Sequence, residues 1–235
     1  MLCSTIALGQ DRAHRLPAEP IITVNGQGEI DVKPDQAVVR LGATAQEKDA
    51  ADAQADVNKV IQKAINQIKS LGIKENEIRT DQISLRPVYS PEDNRGEFPR
   101  PPVKIIGYQA SNVLKITIDD LNQIGPVIDA GVAAGANDIQ GVDFGLTDDT
   151  AATLNALTRA TQQAAAKAHA IANALNVELG PVIEVSEGGV QRIMPMSIGR
   201  GMMAAAAAPS TPIEAGQIKI NAQVTIAYRI QPHGP

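Results

Sequence analysis

From Ile218 to Ile230 apolar and polar positions alternate: Ile218, Ile220, Ala222, Val224, Ile226, Tyr228 and Ile230 interleave with Lys219, Asn221, Gln223, Thr225, Ala227 and Arg229. A period of two predicts a strand with one buried and one mainly solvated face, as in an antiparallel sheet. Ile21-Ile22-Thr23-Val24 opens a second apolar strand. Asn25-Gly26-Gln27-Gly28 reads as a bulge or bend within it, and Lys33-Pro34-Asp35 as a turn whose φ is set by proline. Residues 36–45 then read as the returning strand of an N-terminal hairpin.

Beyond residue 48 the period changes. Ala51, Ala55, Asn58, Ile61, Ile65, Ile68 and Leu71 recur at steps of three and four, which predicts an amphipathic helix stopped by Gly72. Residues 78–89 return to strand character, as do Val113–Ile118 and Ile139–Leu146. Between them Asp119 or Asp120 can cap a helix carrying Leu121, Ile124, Ile128 and Val132. Asp148-Asp149-Thr150 opens the longest helix, with a stripe of Leu154, Leu157, Thr161, Ala164, Ala168, Ile171 and Leu175. Gly180-Pro181 is expected to close it before a strand at 182–186. Each helix is followed by a turn and a strand: Leu71-Gly72-Ile73, Gly135-Ala136-Asn137 and Asn176-Val177 are the three junctions. The pattern is an α+β fold, with antiparallel or mixed β-sheets and three main helices packed on sheet faces in repeated helix–strand units. Order is expected over 21–230, as one domain or as two lobes of about 21–118 and 119–230, between tails at 1–20 and 231–235.

Two stretches lack either period. Residues 90–104 hold Pro91, Pro99, Pro101 and Pro102, too many prolines for a helix or a central strand. Residues 188–216 hold Met194-Pro195-Met196, Gly199-Arg200-Gly201-Met202-Met203, five alanines, Pro209 and Pro212. Ordering such loops costs roughly 1–2 kcal/mol per residue, which a contact between subunits can offset. Pro99, Pro101, Pro102, Met194, Met196, Met202 and Met203 are therefore the candidate oligomer contacts. Two alternatives stay open for the methionines. Their soft thioethers suit Cu(I) or reversible oxidation, which makes them weak metal candidates, and a plain mobile loop needs neither role.

Composition narrows the chemistry. Of 235 residues 43% are hydrophobic, which suits a packed core, but only 2% are aromatic and none is Trp, so that core rests on Ala, Val, Ile and Leu. A net charge of −5 without a basic run, and few stacking rings, argue against nucleic-acid binding. No apolar stretch is long enough for a transmembrane helix. Cys3 is the sole cysteine, so no disulfide closes within a chain. Leu2–Gly9 reads either as the remnant of an export signal, with the small-x-small triplet Ala7-Leu8-Gly9, or as a plain tail. Gly26-Gln27-Gly28 lacks the third glycine of a dinucleotide loop, since Asp31 stands there. His14, His169 and His233 are too scattered for a zinc face, and no Gly-x-Ser-x-Gly elbow occurs. The paired aspartates at 119–120 and 148–149 read as helix caps. No catalytic residue and no cofactor is expected, and the chain is read as a non-enzyme.

Several short motifs, taken in order, point to a family. Ile22-Thr23-Val24-Asn25-Gly26-Gln27-Gly28 followed by Lys33-Pro34-Asp35 resembles the opening signature of SIMPL-domain proteins. Ile83-Ser84-Leu85-Arg86-Pro87-Val88-Tyr89, Gly107-Tyr108-Gln109-Ala110-Ser111 and Pro212-Ile213-Glu214-Ala215-Gly216 resemble later motifs, and Met194-Pro195-Met196 is similar to the periplasmic immunogenic members. The resemblance implies an exported bacterial protein of the periplasm, or one associated peripherally with the outer membrane. It also implies an α+β fold, a tendency to homo-oligomerise, and links to oxidative-stress tolerance and host immune recognition. Its implied partners are further copies of itself or another envelope protein; it implies no enzymatic activity.

Overall fold

The computed structural model describes residues 19–90, 103–193 and 213–232. Its elements run β1 (Ile21–Val32), β2 (Gln36–Glu47), α1 (Ala50–Ser70), β3 (Ile78–Tyr89), β4 (Ile105–Ile118), α2 (Ile124–Ala134), β5 (Asp138–Gly145), α3 (Thr150–Leu175), β6 (Val177–Ile193) and β7 (Ile218–Pro232). The expected α+β class, with three helices and antiparallel sheets, is the one observed. Strands form a three-stranded sheet in the order β1-β7-β6 and a four-stranded sheet in the order β3-β4-β2-β5. The described residues divide into two compact units, neither of them contiguous: 19–30, 153–191 and 221–232 form one, and 31–90, 103–152, 192–193 and 213–220 the other.

All three helices end on a left-handed residue: Gly72 at φ 94°, Gly135 at φ 110° and Asn176 at φ 54°. At each end the N–H of that residue donates to a carbonyl three positions back, Lys69, Val132 or Asn173, at 3.0, 2.9 and 3.1 Å. Glycine and asparagine tolerate this geometry, so the three junctions seen in the sequence share one stop chemistry. The third junction corrects an expectation. Asn176 ends α3, and Gly180-Pro181 lies inside β6.

In the larger unit β2 is central, paired antiparallel with β4 (Val39 with Ile116, Leu41 with Leu114) and with β5 (Val39 with Val142). One face buries Ala37, Val39, Leu41, Ala43, Leu114, Ile116 and Ile118 against Val57, Ile61, Ala64 and Ile68 of α1 and Ile124, Val127 and Ile128 of α2. Gly131 lets α2 settle onto Leu41, whose methyl carbons lie 3.0 Å from where a Cβ there would stand. On the opposite face Arg40 joins three strands. Its guanidinium bonds Asp143 on β5 and lies 3.3 Å from Asp81 on β3. The Asp143 hydrogen bond leads in holding Arg40 above its ordinary value. The carboxylates also relieve a row of like charges, because Arg40 and Arg79 both stand opposite Lys115.

The expected N-terminal hairpin does not form, since β1 and β2 belong to different sheets. The link between them is tied to the end of β5. Asp35 N–H donates to the Gly145 carbonyl at 3.2 Å, and the Asp35 carboxylate accepts from the Thr147 backbone N–H at 2.7 Å.

In the smaller unit β1 buries Ile22, Val24, Gly26 and Gly28, alternating as a strand should. The Ile230 N–H donates to the Pro20 carbonyl, and Thr225 Oγ1 donates to Asn25 Oδ1, so β7 runs antiparallel to β1. The glycines serve as a flat bed for α3 rather than as a bend. A Cβ on Gly26 would sit 1.9 Å from the Ala160 carbonyl oxygen, and one on Gly28 would sit 2.0 Å from that of Ala156. The helix answers with Ala156, Ala160, Ala164, Ala168 and Ala172, one residue every fourth position, all buried. This corrects the expected stripe. Ala164 and Ala168 face inward as anticipated, but Leu154, Ile171 and Leu175 are exposed. Hydropathy favours leucine for a core, whereas backbone contact between strand and helix admits only the smallest side chains.

At the start of α3 the Thr150 side chain hydrogen-bonds the Asp148 carboxylate, which also accepts from the Thr150 N–H at 2.8 Å; the two bonds, the side-chain one first, hold its pKa below the ordinary carboxylate value. A depressed folded-state value adds stability that is complete above about pH 4 and is lost as pH falls through it. Asp148→Asn is therefore expected to lower Tm at pH 7, with the difference from the parent shrinking below pH 4; thermal melts at both pH values measure this.

Candidate functional site

Met194, Met196, Met202, Met203, Pro99, Pro101 and Pro102 all lie outside the described residues, as do Cys3, His14 and His233. The strands that flank those stretches are described, and they carry the most unusual surface of the chain. β3 and β4 form a long antiparallel pair, with Leu85 opposite Ala110, Pro87 opposite Tyr108 and Tyr89 opposite Ile105. The Ser90 N–H closes the pair on the Lys104 carbonyl at 2.8 Å. Toward this end α1 covers the sheet only in part, with Gln54, Val57 and Asn58 beside Ile83 and Leu85. Ile83 (64% exposed), Leu85, Tyr89, Val103, Ile105 and Ile106 all reach solvent. Clustered apolar side chains of this kind mark contact sites, whereas single ones are commonplace.

β6 carries a second such surface. The sequence expectation stopped this strand at residue 186, but it continues to Ile193, with Gly189 at φ 88° taking the bend that a pattern reading takes for a loop. Val182, Ile183 and Val185 are exposed along it, and it forms an outer strand of its sheet.

The other outer strand of that sheet, β1, is treated differently. Arg159 Nη1 donates to the Glu29 carbonyl at 2.9 Å, and Gln163 Oε1 accepts from the Gln27 N–H at 2.8 Å. Lys167 Nζ donates to the Asn25 carbonyl at 2.8 Å. Helix residues four apart thus meet strand residues two apart, because one helical turn and two strand residues advance by similar distances. The row satisfies the backbone groups that make an edge sticky.

The paired aspartates have structural partners. Asp120 accepts from the Asn122 N–H, Asp119 accepts from Gln36, Asp148 caps α3 and Asp149 pairs with Arg192. His169 is exposed on α3. Among the described residues no three His, Cys, Asp or Glu side chains gather as metal ligands would. A cleft of about 420 Å³ in the smaller unit is lined by Gln27, Glu29, Gln163, Gln191, Asn221 and Gln223, with Gly188 and Gly189. Carboxamides there can exchange hydrogen bonds, and Glu29 is the one ionisable side chain among the described lining residues.

Comparison with known proteins places this arrangement. The family model SIMPL, described as a protein of unknown function (DUF541), matches residues 22–228. The 26 kDa periplasmic immunogenic protein of Brucella melitensis is 35% identical over 216 residues, covering 89% of this chain and 84% of that protein. The uncharacterised protein YggE of Escherichia coli is 26% identical over 223 residues, covering 94% and 87%. With a family match that runs from β1 to β7, the chain belongs to the SIMPL family.

Proposed function

We propose that this chain is a non-catalytic protein of the bacterial periplasm that works by assembling with copies of itself in the cell envelope. The observation that carries the reading is the exposed apolar end of the β3–β4 pair, where Ile83, Leu85, Tyr89, Val103, Ile105 and Ile106 stand in water. Leaving them there forgoes roughly 1.5–3 kcal/mol per large side chain that burial would return. The periplasmic assignment draws on the name of the Brucella relative, a periplasmic immunogenic protein. It is compatible with a further observation: no helix among the described residues is long and apolar enough to cross a membrane.

Light scattering behind size exclusion, over a concentration series, tests the reading. The expected result is a stable particle several times the 24.7 kDa chain mass. Ile83→Asp with Ile105→Asp should reduce that mass without changing the circular dichroism spectrum. A monomer at every concentration overturns the proposal.

A further inference from the structure

The described strands leave three outer edges once the sealed edge of β1 is set aside: β6, β3 and β5. β5 has only eight residues, and its pairing shifts at Arg40/Leu41, so it is blunted by length and irregularity. β6 and β3 are longer, with 17 and 12 residues. Each holds one proline, Pro181 and Pro87. Proline within a sheet keeps its missing N–H on the free side. By the alternation of a strand, Ile183, Val185 and Glu187 of β6 and Ile83 and Leu85 of β3 then turn their peptide groups outward.

The side chains at the two edges are apolar but differ in charge. β6 carries Glu178, Glu184, Glu187 and Arg192, and β3 carries Arg79, Asp81 and Arg86, so β6 is negative on balance and β3 positive. Two copies of β6 whose outward Val185 peptide groups face each other would set Glu184 against Ser186 twice, so Glu184 gains no opposite charge in a symmetric contact. Pairing β6 with β3 supplies one. The antiparallel register that places Glu184 opposite Arg86 also places Val185 opposite Leu85, Ser186 opposite Ser84 and Val182 opposite Val88. In that register the outward peptide groups of Val185 and Leu85 face each other, and Glu187 stands opposite Ile83.

We propose that β6 of one copy adds to the free edge of β3 of a second copy as an antiparallel strand in this register. The inference rests on the self-assembly reading and names the surfaces that meet. Because those surfaces differ, each copy offers one of each, and the contact is head-to-tail.

The test uses full-length chains carrying Cys3→Ser. Val185→Cys and Leu85→Cys variants, distinguishable by a tag, are co-expressed and mildly oxidised. Directly opposite residues lie close enough to bridge, so a disulfide-linked pair containing one of each variant is expected, with little from either variant alone. Independently, Glu184→Arg and Arg86→Glu should each weaken the contact about fivefold, and the two together should restore the parent's assembly. A normal particle that shows neither the mixed disulfide nor the restoration overturns strand addition while leaving self-assembly standing. A parent chain that stays monomeric overturns both.

Discussion

Replacing Gly28 with alanine is expected to destabilise the protein by about 3 kcal/mol, at the upper end of what overpacking costs. The added carbon would lie 2.0 Å from the Ala156 carbonyl oxygen and 2.6 Å from the Ala160 nitrogen, and backbone atoms of a helix cannot step aside as a side-chain tip can. Strand and helix must part, and the row from Ala156 to Ala172 loses contact along its length. Gly26→Ala should act alike, since its carbon would meet the Ala160 oxygen at 1.9 Å. Thermal melts should show a fall in Tm of about 6–12 °C for a chain of this size. A change under 2 °C in both variants would mean that α3 does not rest on β1 as described.

Leu41→Ala should have an effect of similar size for the opposite reason. Leu41 is 1% exposed on the central strand β2, packed between β4 and Gly131 of α2. Truncation there leaves a cavity that the surrounding sheet and helices fill only in part, which costs about 3–4 kcal/mol. Leu154→Ala is the control. Leu154 is 58% exposed on α3 and should shift stability by less than about 0.5 kcal/mol. Urea titrations of the two variants separate the cases, and equal losses would contradict the burial pattern.

That contrast also shows what sequence could reveal. In β7 the period is written in large side chains and is readable. The alternation of β7 buries the residues from Ile218 to Tyr228 that it promised, and glycine or asparagine marks the end of every helix. Where the core is written in small residues the period misled, because Ala156, Ala160 and Ala172 carry little hydropathy while Leu154 and Leu175 carry much. Pairing was the other loss. Nothing local to 21–47 tells β1 that its partner lies some 200 residues away, and a short link with proline reads as a hairpin. For the candidate surface the sequence drew attention to 90–104 and 188–216 through proline and methionine. The apolar side chains that now carry the argument lie in strands bordering or entering those stretches, and strand character at 78–89 and 182–186 does not say that Ile83, Leu85 and Val185 are exposed.

The strand order β1-β7-β6 has a consequence for how the chain comes into being. Among the described strands, the middle strand of that sheet is the last to be synthesised, and the outer strand it must hold is the first. Until β7 is complete, β1 and β6 have no common neighbour, whereas β2, β3, β4 and β5 all fall within residues 36–145 and can assemble much earlier. During synthesis the chain therefore carries an apolar strand unpaired for most of its length, a wait that high contact order makes slow. Any factor that shelters nascent or translocating chains would find its binding window here, between the emergence of Ile21 and the arrival of Ile230.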